Sequence, residues 1–152
     1  MIIPIDGEFN KNMVKQFKIS LRRVLPTQRE IRIRINSHGG DVESMAIMNG
    51  FVYYFTQYKY HFIAEIEYAE SSAMLFAVNM HERIVCDKSF GAIHLPESKD
   101  KSTKIQQTKH FISIFEKQTK MDISNIERLN NVMLSSTDLL DLGIATKKVP
   151  FF

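Results

Sequence analysis

The sequence is poor in the residues that staple or interrupt a chain. Among 152 residues there is one cysteine, with four prolines and six glycines. Cys86 has no partner for an internal disulfide, which excludes a cross-linked secreted scaffold and makes a reducing compartment the expectation. It reads as a small buried apolar residue rather than a nucleophile. So few glycines and prolines exclude collagen-like and low-complexity architectures. No run approaches the roughly 18 apolar residues of a membrane-spanning helix. The opening MIIPIDGEF carries Asp6 and Glu8 where a signal peptide would be apolar. Charge of one sign is also scarce. Twenty Lys and Arg stand against 17 Asp and Glu, a net of +3, and the two signs are interspersed. That argues against a nucleic-acid groove.

What is present fits one cytoplasmic α/β domain spanning residues 1–152. Hydrophobic residues make up 44% and charged residues 24%, enough for a buried core. Ile2 to Ile5 reads as a strand ended by Asp6-Gly7. Met13, Phe17, Leu21 and Val24 recur at helical spacing before Pro26. Ile31, Ile33 and Ile35 alternate with Arg32 and Arg34, a strand with one apolar face, ending at Asn36-Ser37-His38-Gly39-Gly40. A helix is predicted from Val42 to about Phe55, a strand from Tyr60 to Ile66, a turn over Glu67–Ser72, and an apolar helix from Ala73 to Met80. Two short strands follow, Arg83–Cys86 and Phe90–His94. An amphipathic helix is predicted over Thr103–Thr119 with Ile105, Ile112 and Phe115 on one face. Asp122 caps a short helix, and Ser135 with Asp138 forms a capping box on a last one, closed by Gly143. Ile144 to Val149 is a candidate terminal strand. Alternating strands and helices imply a largely parallel sheet, whose sites form where strands end and helices begin.

Three such turns carry chemistry. Gly39-Gly40 lets backbone amides approach an oxyanion, although paired glycines also make plain tight turns. No Lys-Ser or Lys-Thr follows them, so this is not a phosphate loop. Ser71-Ser72 sits between strand and helix, where a serine is either an exposed nucleophile or an N-cap. His94 ends a strand just before Leu95-Pro96 and is the best placed of five histidines to act as a base. Spacings typical of metal ligands are absent, so neither a metal nor a cofactor is expected.

In their order these pieces resemble the Clp protease proteolytic subunit (ClpP) family, in particular its short, divergent or phage-type members. The family strand ending Ile-Asn-Ser-Pro-Gly-Gly is matched by Ile35-Asn36-Ser37-His38-Gly39-Gly40, and Val42 and Ala46-Ile47 follow as in the family. Ala69-Glu70-Ser71-Ser72-Ala73 is similar to its Ala-Ala-Ser-x-small, and Ile93-His94-Leu95-Pro96 to its Ile-His-x-Pro. Ile126-Glu127-Arg128, Leu134-Ser135 and Asp141-Leu142-Gly143-Ile144 match later motifs. The resemblance implies a ClpP/crotonase-like ββα spiral and a serine peptidase acting on peptides or unfolded protein. It also implies a homo-oligomeric ring, with aromatic faces such as Phe51–Phe55 covered by a neighbour. Ser71 would be the nucleophile, preferred over Ser72 because Ala69 and Ala73 then flank it as the family's small residues do. His94 would be the base, and the amides of Gly40 and Ser72 the oxyanion hole.

The sequence departs from the family in four places. The triad Asp after Ile-Glu-Arg is Leu129, leaving Asn130 or Asn131 to orient His94 without supplying charge. His38 replaces the proline before the glycines, which puts the stiffness of that loop in question. The chain starts at the first strand, without the family's N-terminal axial loop, which argues against docking of an ATPase unfoldase. The stretch from His94 to Arg128 is short, implying a reduced handle. The alternative reading is therefore a catalytically weak or inactive homologue serving as a structural or binding subunit. A thioester hydrolase of the wider crotonase-like fold is a third.

Overall fold

The computed structural model describes all of residues 1–152. The first apolar run forms β1 (Ile2–Asp6), with Ile3 and Ile5 turned inward. Asn10 starts α1 (Lys11–Arg22) by accepting from the Met13 N–H at 2.9 Å, and Met13, Phe17 and Leu21 form its buried stripe. In β2 (Glu30–Ser37) the three isoleucines are fully buried, while Arg32 and Arg34 on the other face both donate to Glu65 at 3.0–3.2 Å. Two guanidinium groups thus compensate one buried carboxylate. Asp41 caps α2 (Val42–Gln57).

The parallel sheet grows in chain order through β3 (His61–Glu70) and β4 (Glu82–Ala92), with α3 (Ser72–Val78) between them. Every residue of α3 is buried, so this short helix lies inside the domain. α4 (Lys101–Gln118) buries Phe111, Ile112 and Phe115. α5 (Ile123–Arg128) and α6 (Ser136–Asp141) each start with a reciprocal capping box, Asp122 with Asn125 and Ser135 with Asp138. β5 (Met133–Ser135) pairs antiparallel and β6 (Lys147–Val149) parallel with different halves of β4.

Several expectations needed correction. The segment Glu67–Ser72 is not a turn: β3 continues to Glu70, and the turn is confined to Ser71. The two expected strands Arg83–Cys86 and Phe90–His94 are one element, β4. It is broken only by a wide bulge, in which Cys86 to Ser89 stand opposite Glu67. Ser89 fills that bulge, accepting from the Cys86 N–H at 2.8 Å and donating to the Ile66 carbonyl at 2.5 Å. Cys86 itself is free and buried, as expected. Ile105 is 48% exposed because only the C-terminal half of α4 packs on the body.

One buried charge ties the ends together. Arg83 is 5% exposed and donates to the carbonyls of Met80, Gln118, Gly143 and Ile144 at 2.6–3.3 Å, with no carboxylate beside it. Gln118 ends α4, Met80 lies two residues beyond α3, and Gly143 and Ile144 follow α6. These are the electronegative ends of three helices, and together they take the place of a counterion.

Candidate functional site

The glycine turn after β2 is stitched to the start of the chain. Phe9 donates its N–H to the Gly39 carbonyl at 2.9 Å, and Asp41 donates to the Phe9 carbonyl at 2.9 Å. Ser37 Oγ donates to Gly7 O at 2.6 Å and accepts from the Gly39 N–H at 3.0 Å. These bonds stiffen the turn although His38 stands where the family pattern has proline, and His38 itself is exposed. Gly39 and Gly40 have φ of +99° and +144°, and a Cβ on Gly40 would lie 2.5 Å from the Phe9 carbonyl oxygen.

β3 delivers Ser71 next to this turn. Ser71 has φ +57° and ψ −126°, a region non-glycine residues avoid at a cost of about 1–3 kcal/mol. Its side chain makes no capping bond to α3, so the plain N-cap reading of this serine does not hold. The hydroxyl of Ser72 is occupied, donating to the Gly40 carbonyl at 3.1 Å, and Ser72 is 5% exposed. The N–H groups of Gly40 and Ser72 have no partner in the fold. Two free donors therefore stand beside one free hydroxyl at the N-terminus of a buried helix, an arrangement able to hold a developing oxyanion.

His94 follows the end of β4, where Ile93 bridges to Asn130. Nδ1 of His94 bonds Oδ1 of Asn131, and Nε2 bonds Oε1 of Glu70. Of the two asparagines left open by the sequence, Asn131 reaches the ring, while Asn130 accepts from the Leu95 N–H at 2.8 Å. Asn131 is held by its own N–H on the Ile93 carbonyl at 2.8 Å. Burial alone would lower the His94 pKa, but the bonds to Glu70 and Asn131, with the charges of Glu70 and Glu97, raise it above the ordinary 6.5. The sequence does not single out Glu70 as a site residue, because its segment is predicted as a turn, whereas β3 runs through it. The signal was the spacing Tyr68-x-Glu70 on a strand, which puts both side chains on one face.

Ser71, Ser72 and His94 border a cleft of about 620 Å³ between α2, α3 and α4. Val42, Met45, Leu75, Phe111 and Ile114 give it an apolar wall, and no Asp, Glu, Lys or Arg lines it. His81 lies in the same cleft. It accepts from the Phe62 N–H on Nδ1 at 3.0 Å and stacks on His61 at 4.7 Å. No group of three or more His, Cys, Asp or Glu side chains is arranged to hold a metal ion, and no helix is long and apolar enough to cross a membrane.

The parallel sheet with its inward helix, and the serine turn beneath a cleft, define an α/β protein of the ClpP/crotonase-like fold. The chain belongs to the Clp protease family, which matches residues 1–149. Its structure is similar to that of an Asn-to-Asp mutant of ClpP1 from Listeria monocytogenes, with a TM-score of 0.83. The two are 18% identical, over 98% of this chain and 91% of that one, a likeness of fold. No curated protein matches the sequence.

Proposed function

We propose that residues 1–152 act as one serine peptidase domain that hydrolyses peptide bonds in peptides or unfolded protein. Ser71 Oγ attacks the scissile carbonyl carbon while Nε2 of His94 takes the hydroxyl proton. The N–H groups of Gly40 and Ser72 receive the oxyanion. Collapse breaks the C–N bond, and His94 returns the proton to the departing amine. Water then attacks the acyl-serine ester with His94 again as base, releasing the acid and Ser71. Asn131 orients the ring through Nδ1. The apolar cleft without charged walls receives uncharged side chains of the substrate.

The observation that carries this reading is Ser71: a strained, uncapped serine whose hydroxyl is free, beside two unpaired backbone donors and at the edge of a cleft. The bonding of Ser72 Oγ to Gly40 supports Ser71 over its neighbour. A homo-oligomeric ring in the cytoplasm belongs to the same proposal. Tyr54 and Tyr58, 59% and 57% exposed at the end of α2, are rings a neighbouring copy would cover.

A second reading keeps the fold and drops the turnover. It is favoured by Leu129, which follows Arg128 where a carboxylate would stabilise the imidazolium. Assaying uncharged fluorogenic peptides beside acyl thioesters separates the readings. Peptide hydrolysis that disappears in Ser71→Ala is expected. Thioester hydrolysis alone would favour a different hydrolase. A folded, oligomeric protein inert to both would favour a structural subunit.

A further inference from the structure

A general base needs a bare lone pair facing its nucleophile. In this site the nitrogen that would face Ser71 is already engaged by Glu70. A carboxylate only accepts, so Nε2 carries a proton. This holds whichever way the Asn131 amide is turned. With its oxygen on Nδ1 the ring is an imidazolium, and with its NH₂ there the ring is the neutral Nε2–H tautomer. In neither state can Nε2 take a proton from Ser71.

The contact is supported from both sides. Tyr68, two residues earlier on the same face of β3, donates its hydroxyl to the other oxygen of Glu70. The Tyr68 ring is itself stacked on Phe90 of β4, centroids 4.6 Å apart and planes at 28°. The Glu70 and His94 side chains are 19% and 33% exposed, so the pair is partly shielded from water. The family pattern that this sequence resembles has alanine at the position before the serine, which could make no such contact.

We propose that Glu70 is a positioning residue that competes with Ser71 for Nε2 of His94, holding the resting site uncoupled until that proton leaves and the carboxylate withdraws. The proposal rests on the peptidase reading of Ser71 and His94. The groups that face the ring are Glu70 and Tyr68 from β3, Glu97 from the segment after β4, and Asn131 from the segment between α5 and β5. His81 and His110 line the same cleft, and no lysine or arginine does. The balance on His94 is therefore weighted toward the protonated ring, and the bond to Glu70 is the largest of the contributions that push it there. Filling the cleft with a peptide brings the scissile carbonyl to Ser71, and the ring is then free to turn from Glu70 to the hydroxyl.

The test is the pH dependence of fluorophosphonate labelling at Ser71 in the full chain, measured for the wild type, Glu70→Ala and Glu70→Gln. It is paired with an NMR titration of the His94 ring in each. The proposal predicts that both variants move the labelling midpoint and the His94 titration to lower pH together. Labelling below neutrality then speeds up by about tenfold for each unit moved. Should Glu70→Ala fail to fold, the near-isosteric Glu70→Gln carries the test. Labelling that is present but slower, or a His94 midpoint unmoved by Glu70→Gln, overturns the role of Glu70 and leaves the peptidase reading standing. No labelling in the wild type or either variant overturns the peptidase reading, and this proposal with it.

Discussion

Gly39 and Ser71 lie so close that a Cβ on Gly39 would stand 2.9 Å from that of Ser71 and 2.8 Å from the Glu70 carbonyl oxygen. The glycine turn is thus the surface against which the serine is held, and it sets the distance between that serine and the amide donors. Gly39→Ala forces the two turns apart and also strains φ of +99°. We expect a loss of about 1–3 kcal/mol in unfolding free energy by urea titration. Ser71 reactivity falls by a larger factor than stability alone explains.

The strain at Ser71 predicts a trade of stability against reactivity. Ser71→Gly removes the hydroxyl and relieves φ of +57°, whereas Ser71→Ala removes the hydroxyl and keeps the strain. The glycine variant is expected to be the more stable of the two by about 1 kcal/mol, read as a higher Tm in calorimetry. Equal stability would mean that the surrounding structure does not hold this backbone against its preference.

Asn131 orients His94 but lacks the charge to stabilise an imidazolium. Asn131→Asp is expected to raise kcat by about tenfold or more with little change in KM, and Asn131→Ala to lower kcat. Steady-state kinetics on one peptide decides it. A change confined to KM would assign Asn131 to substrate binding.

His81 predicts an acid-sensitive joint. Burial first, and its neighbour His61 second, hold the His81 pKa below 6.5. The unfolded chain therefore binds this proton more readily, and the stability His81 contributes above pH 6.5 is lost as pH falls through the range below it. His94 runs the opposite way. Its raised pKa adds stability that is complete below 6.5 and lost as pH rises through the higher folded value. Comparing the wild type with His81→Gln isolates the first effect. The stability difference between them should shift toward the variant between pH 7 and pH 5.

Arg83 predicts the largest loss. Its guanidinium donates to four carbonyls around the ends of α3, α4 and α6. Arg83→Met leaves those carbonyls buried without donors, at a cost of roughly 3 kcal/mol or more. Arg83→Lys keeps the charge but lacks the planar fork, and is expected to recover only part of it. Urea unfolding of the three proteins checks the order.

The sequence was most legible where a local rule is strong. Ile31, Ile33 and Ile35 alternate, and they face the core together. Asp122 and Ser135 are readable as caps because the capping bond spans only three residues. Ser71, Ser72, His94 and the glycine pair were placed by their order along the chain, and the fold brings them to one cleft and its neighbouring turn. The remainder depends on partners far apart in sequence. β5 is three residues long and exists only because Phe90–Ala92 offers an edge. The continuity of β4 through Cys86–Ser89 depends on Ser89 bonding the Ile66 carbonyl across the sheet. Glu70 is hidden from the sequence because β3 runs four residues beyond Ile66, through a segment whose composition predicts a turn. The pairing of His94 with Asn131 rather than Asn130 follows from the chain reversal that gives Asn131 φ of +65°.

The most direct measurement is fluorophosphonate labelling of the full chain at neutral to mildly alkaline pH, with peptide mapping of the modified serine. The account predicts modification at Ser71, lost in His94→Ala and retained in Ser72→Ala. Modification at Ser72, or none at either serine in a folded sample, would contradict it.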